Sequence, residues 1–83
     1  MKVEPVFISL GAEAAYVLAY ATVRGKVNPD HSFVFRIQAD KATLIREFEC
    51  EVTGIAYAGD ELFAVDGDAN VHRYWFPDGQ WAD

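Results

Sequence analysis

Along most of the chain apolar and polar side chains alternate with a period of two, the repeat of a half-buried β-strand. In Ser32–Ile37, Phe33, Phe35 and Ile37 fall on one face. In Ala42–Val52 (ATLIREFECEV), Leu44, Arg46, Phe48, Cys50 and Val52 share one face. Thr43, Ile45, Glu47, Glu49 and Glu51 share the other. Val6–Leu10, Gly54–Ala58, Leu62–Val65 and Asn70–Phe76 have the β-branched and aromatic content of further strands. Pro5 suits the first or edge position of its strand. AGDE and DGDA separate the last runs with turn residues. The pattern predicts an all-β protein, an antiparallel meander of about six to seven strands.

One segment reads two ways. The alanines of Ala12–Arg24 favour a helix, and Gly25 could stand at its C-terminal cap. Tyr16, Val17, Tyr20, Thr22 and Val23 favour a strand, with Tyr16, Leu18 and Tyr20 on one face. Strand is the preferred reading. The alternative fold class is α+β, with a helix over residues 12–24 packed on the sheet.

At 83 residues the chain is expected to form a single domain, 1–83. Its 52% hydrophobic and 14% aromatic content is enough to build a core. In so small a domain, part of that apolar surface can be left for a partner or a second copy. Cys50 is the one cysteine, so no internal disulfide can form, and a reducing cytoplasm is the expected location. The N-terminal run is interrupted by Glu4, Pro5 and Glu13, which argues against a signal peptide. No run approaches the roughly 18 apolar residues that span a bilayer, so no membrane partner is expected.

A weak internal echo is also present. FISLGAE (Phe7–Glu13) resembles GIAYAGDE (Gly54–Glu61), and each leads into an apolar run. FVFRIQADKATL is echoed by NVHRYWFPDGQW, with Arg36 matching Arg73 and Asp40 matching Asp78. The halves would be residues 6–48 and 52–83, differing mainly in a longer first-half turn near GKVNPDHS. Gly54–Trp81 has an apolar strand ending at Gly59-Asp60, a second ending in Val65-Asp66-Gly67, and a third followed by Pro77-Asp78-Gly79. This stretch resembles one blade of a β-propeller. The resemblance implies an open stack of two blade-like sheets, or a ring closed by oligomerisation. The family has no fixed activity, so it implies no site residues.

Charge is divided unevenly. Residues 1–46 carry a net +2, and residues 47–83 carry −8 with Arg73 as their only base. The sign changes between Arg46 and Glu47, inside REFECEV. Such polarity predicts an acidic face that repels nucleic acid and attracts a basic partner. Alternate residues on a strand lie about 6.8 Å apart. Repulsion within the Glu47, Glu49, Glu51 row is then well under about 1 kcal/mol per pair in water. A solvated row is therefore cheap, and it also discourages edge-to-edge aggregation.

Other candidate chemistry is thin. Asp66-x-Asp68-x-Asn70 opens like a calcium loop, but Val71 stands where Gly is needed and Pro77 where Glu is needed. A hairpin turn with Gly67 at positive φ is the expected reading, and no metal or other cofactor is expected. Cys50 could pair with His31 or His72, but neighbouring Glu49 and Glu51 disfavour a thiolate. It is expected to pack as a small apolar residue beside Phe48. Paired carboxylates could serve a glycosidase, yet so small a domain has little room for the cleft, and an enzyme is not expected. Tyr74, Trp75, Phe76 and Trp81 are concentrated near the C-terminus, with Trp75 facing away from Tyr74 and Phe76. Core packing is the preferred reading, and an interface anchor is the other.

The leading functional expectation is a small acidic protein-binding module, an inhibitor or immunity protein that neutralises a basic toxin or nucleic-acid-handling enzyme. Its contact residues would be Glu47, Glu49, Glu51, Asp60, Glu61, Asp66 and Asp68, with Trp75 as an anchor. The alternative is an oligomeric propeller-like protein that binds a carbohydrate through Trp75, Trp81 and nearby aspartates. Self-association is compatible with both.

Overall fold

In the computed structural model, residues 2–83 are described, and their strands pair in chain order into two four-stranded antiparallel sheets. Sheet 1 contains β1 (Val3–Leu10), β2 (Ala15–Val23), β3 (Lys26–Gln38) and β4 (Lys41–Phe48). Sheet 2 contains β5 (Val52–Ala58), β6 (Glu61–Asp66), β7 (Val71–Trp75) and β8 (Gln80–Ala82). The all-β expectation is met, but with eight strands rather than six or seven, and neither sheet closes on itself.

The ambiguous segment is a strand. β2 lies between β1 and β3, and each of its faces is lined differently. Tyr16 and Leu18 are buried in the core shared with sheet 2. Ala19 and Ala21 point the other way and are buried too. A central strand with two apolar surfaces overrides the helix propensity of its alanines. Gly25 is not a helix cap. Val23 pairs with Lys26, which leaves Arg24 and Gly25 as a two-residue hairpin turn at φ 52° and 77°. Positive φ at both positions is what the twist-matched type I′ turn needs.

That tight turn corrects the expectation of a long loop near GKVNPDHS. β3 runs straight through it as a strand. The register absorbs the surplus instead. Tyr20 pairs with Ser32 but Ala21 pairs with Asn28, so Pro29, Asp30 and His31 are extra residues on β3. Pro29 has no amide hydrogen to give a ladder, and a bulge is where a strand tolerates it.

REFECEV is not one strand either. β4 ends at Phe48, a bend follows at Glu49-Cys50, and β5 begins at Val52. Phe48 and Val52 both enter the common core, so the chain must turn between them to pass from one sheet to the other. The three glutamates therefore do not form a row on one face. A second bulge also breaks the alternation earlier. Phe35 pairs with Leu44 and Val34 with Arg46, leaving Ile45 extra. Ile45 packs on the core, while Leu44, expected on the same face as Phe48, is 46% exposed on the other side of the sheet.

The two sheets meet along β5, which lies against β1, β2 and β3. The core joins Leu18 and Val34 of sheet 1 to Val52, Ile55, Leu62 and Ala64 of sheet 2. As an edge strand, β5 has backbone groups that no neighbouring strand pairs. Sheet 1 side chains take them up. The Val52 N–H donates to Ser32 Oγ (2.9 Å), which itself donates to the Cys50 carbonyl (2.8 Å). The Tyr20 hydroxyl donates to the Val52 carbonyl (2.7 Å), and the Tyr57 N–H donates to Ser9 Oγ (3.0 Å). Gly11 lets the β1–β2 loop close over this seam. A Cβ there would stand 3.0 Å from the Ala14 carbonyl oxygen and from a Tyr16 ring carbon, and 3.2 Å from the Tyr57 ring.

Candidate acidic binding site

At one end of sheet 2 the chain brings carboxylates together from three places. The β4–β5 bend supplies Glu49 and Glu51, the β6–β7 turn supplies Asp66 and Asp68, and the β3 bulge supplies Asp30. With Cys50 and Gly67 they line an open hollow of about 430 Å³, and no basic side chain shares its lining. A hydrogen bond from the Gly67 N–H to the Glu51 carbonyl (2.9 Å) ties the turn to the bend. Glu49, Glu51, Asp68 and Asp30 are exposed. Among the described residues, no group of three or more His, Cys, Asp or Glu side chains is placed to hold a metal ion.

Asp66 differs from its neighbours because it is buried (8% exposed). Its Oδ1 accepts the amide hydrogens of Asp68 (2.9 Å) and Asn70 (3.0 Å), and its Oδ2 lies 3.0 Å from His72 Nε2. Asp66 therefore shapes the turn rather than facing solvent. Gly67 was expected to supply the positive φ here. Instead Ala69 does, at φ 65°, because the Asp66 side chain holds the two amides on either side of it.

His72 continues the network. Its Nδ1 lies 2.7 Å from Asp83 Oδ1, and Arg46 binds the same carboxylate through two nitrogens at 2.9 and 3.1 Å. Both ring nitrogens face carboxylates, which accept hydrogen bonds only, so the imidazolium is the form that satisfies both. Burial opposes that charge, but the bonds to Asp66 and Asp83 outweigh it and raise the His72 pKa. The hydrogen bond to His72 holds Asp66 below its usual value against the opposing effect of burial. Arg46 first, then His72, hold Asp83 well below the usual carboxylate range. The Arg46 guanidinium also lies over the rings of Phe48 (4.4 Å) and Trp81 (5.1 Å).

The other predicted contact residues lie elsewhere. Glu47 contacts the imidazole of His31, whose ring stacks on Phe33 at 5.1 Å. Glu61 is engaged by Arg73 through two bonds of 2.8 Å, which lower its pKa. Asp60 lines a separate hollow of about 300 Å³ with Tyr16, Arg36, Tyr57 and Phe76. It sits at the opposite end of β6 from the acidic hollow. Trp75 is 41% exposed and pairs with Glu61. Trp81 pairs with Tyr74 and packs on the core, with its indole N–H buried and unpartnered. The two tryptophans thus lie on opposite faces of sheet 2. Arg36 and Arg73 diverge as well. Arg36 lines the aromatic hollow beside Tyr16, whereas Arg73 lies with Phe63 and Glu61 on the outer face.

Cys50 is half-buried in the bend and lines two hollows, one shared with His72. Burial, followed by the charge of Asp66, raises its thiol pKa. The expected cause, Glu49 and Glu51, is not the one at work. Both His72 ring nitrogens are engaged by carboxylates, so this imidazole is not free to take the thiol proton.

Sequence reasoning found Glu49, Glu51 and Asp68 but not Asp30, Arg46, His72 or Asp83 as their setting. The NPD turn residues mark the bulge that carries Asp30. The Arg46–Asp83 and Asp66–His72 pairs have no local signature. Compared with family models, curated proteins and solved structures, the chain gives no match, so its site is read from its own geometry. Among the described residues there is no helix long and apolar enough to cross a membrane.

Proposed function

We propose that this chain is a small acidic protein-binding module, an inhibitor or immunity protein that neutralises a basic partner such as a toxin or nucleic-acid-handling enzyme. The observation that supports it is the hollow in which Asp30, Glu49, Glu51 and Asp68 converge with no base among the lining residues. Exposed like charges on rigid neighbouring turns steer a basic partner and set its association rate. The binding residues in this reading are Glu49, Glu51, Asp68 and Asp30. Asp66 shapes the turn, and Glu47 and Glu61 are held by His31 and Arg73.

The test is a triple variant, Glu49→Gln, Glu51→Gln, Asp68→Asn, which leaves the Asp66 network in place. A basic partner is captured from host extract at low salt, and its affinity is measured for both proteins over a salt series. The variant is expected to bind at least about ten-fold more weakly and with a shallower salt dependence. Equal affinity with an equal salt slope would remove the acidic end from the mechanism.

One observation favours a second reading. Each half of the chain is a four-stranded meander in sequential order, as a propeller blade is. In that reading several copies assemble into a ring, and a carbohydrate stacks on the exposed Trp75. A mass of three or more copies in solution supports the ring, and a monomer ends it.

A further inference from the structure

The outer face of sheet 1, turned away from sheet 2, is apolar across all four strands. A hollow of about 370 Å³ on it is lined by Val3, Pro5, Val17, Phe35, Ile37 and Ala42, together with the buried Ala19. No polar side chain lines it. The rim rises on both sides. Ile8, opposite Val17, is 58% exposed, and Leu10 is 77% exposed on β1. Leu44, opposite Phe35 on β4, is 46% exposed. Charge returns at one end of the face, where Glu47 pairs with His31.

We propose that this face is an interface between two copies of the chain, packed sheet against sheet. Three observations select a second copy over another occupant. The first is shape. A two-fold interface requires each copy to offer both the projection and the recess it fills. The prominent Ile8 and Leu10 stand beside the Phe35–Ile37 hollow on the same face.

The second is area. Four strands about 4.8 Å apart, each about eight residues long, make a face of roughly 500 Å² in projection. Two such faces bury roughly 1,000 Å² before side-chain relief is added, which is the size a specific dimer needs. The third is charge. Sheet 1 comes from the part of the chain with little net charge, since residues 1–46 carry +2 against −8 for residues 47–83. Copies meeting through sheet 1 keep their acidic loads apart, whereas a basic partner finds no counter-charge in the hollow. The free edge of β1 is a poorer route to association. Pro5 lacks an amide hydrogen, and the register shift between Pro5 and Phe7 breaks the ladder beside it.

The test is sedimentation or light-scattering mass against concentration, with thermal unfolding as a folding control. The wild-type chain is expected to pass from monomer to dimer in the micromolar range. Ile8→Lys and Ile37→Lys should each weaken the dimer at least about ten-fold while remaining folded, because each sets a charge in the apolar contact. Ile8 is exposed enough that its variant folds even if the Ile37 variant does not. The acidic triple variant should dimerise normally, which separates this interface from the acidic end. A chain that stays monomeric at all concentrations overturns the proposal, whether or not lipid vesicles or an apolar dye then bind the face. A dimer that survives Ile8→Lys overturns it as well. Loss with Ile8→Lys but a full-strength, folded dimer with Ile37→Lys means that β1 edges pair instead, and this too refutes the sheet-face interface.

Discussion

The two sheets have the same strand order and opposite chemistry. Sheet 1 reaches sheet 2 with neutral hydroxyls, from Ser9, Tyr20 and Ser32, which close the open edge of β5. Sheet 2 is braced by ions, and the brace reaches across to Arg46 of β4 in sheet 1. Asp66, His72, Asp83 and Arg46 form a chain of charge-assisted bonds beside Phe48 and Trp81. The outer faces differ in the same sense. The hollow on sheet 1 has an uncharged lining, and sheet 2 carries the Glu61–Arg73 pair. A neutral seam is indifferent to pH and salt, whereas an ionic brace responds to pH. The seam and the brace should therefore weaken under different conditions.

The seam can be broken most severely at Ser32. It is fully buried, and its hydroxyl serves a donor and an acceptor at once. Ser32→Ala leaves the Val52 N–H and the Cys50 carbonyl without that partner in the interior. Unsatisfied buried groups cost about 1–3 kcal/mol. The urea midpoint should fall accordingly, by the same amount at pH 5 and pH 8. A loss of under about 0.5 kcal/mol would mean that water or relaxation replaces the hydroxyl, and the seam would not depend on it.

How much of this was legible depended on distance along the chain. Period-two alternation located the strands because each side chain's face follows from its immediate neighbours. It failed at Ile45 and at Pro29–His31, where a bulge shifts the register by residues that alternation cannot count. It failed again at Glu49–Glu51, because the core claims both Phe48 and Val52 and the chain bends between them. The acidic character of the end was readable from the charge imbalance after Arg46. Its composition was not, since Asp30 arrives through a bulge and Asp66 is drawn inward by His72. The hydroxyl seam was invisible, because a serine that caps an edge strand from another sheet looks like any strand serine.

The ionic brace is tested by pH. The His72 pKa is raised on folding, so its stabilisation is complete below about pH 6.5 and fades as pH climbs through the raised value. Asp66 and Asp83 are lowered, so theirs is complete above about pH 4 and is lost as pH falls through the depressed values. Stability should therefore peak between about pH 4 and 6.5. His72→Gln should lower the urea midpoint inside that window and flatten the fall from pH 6 to 8. Ser32→Ala should keep the wild-type slope. A wild-type midpoint that is level or rising from pH 6 to 8 would show that the imidazolium does not brace sheet 2.

The smallest effect concerns the turns. Sheet 1 reverses between β3 and β4 through Ala39 and Asp40, both at positive φ, and sheet 2 holds Ala69 at φ 65°. The left-handed region costs a residue with a Cβ roughly 1–2 kcal/mol, less for Asp, whose short polar side chain bonds locally. Glycine removes that strain but loses about 0.4–1 kcal/mol through its freer unfolded chain. Ala69→Gly should therefore stabilise by a few tenths up to about 1 kcal/mol, and Asp40→Gly by less. If instead the Asp66 bonds to Asp68 and Asn70 fix the turn only because Ala69 restricts the chain, Ala69→Gly will destabilise. It would then also weaken the pH dependence of the brace. Thermal unfolding of both variants at pH 5 and pH 8 separates these outcomes, because strain relief raises the midpoint equally at both pH values while a loosened Asp66 lowers it mainly at pH 5.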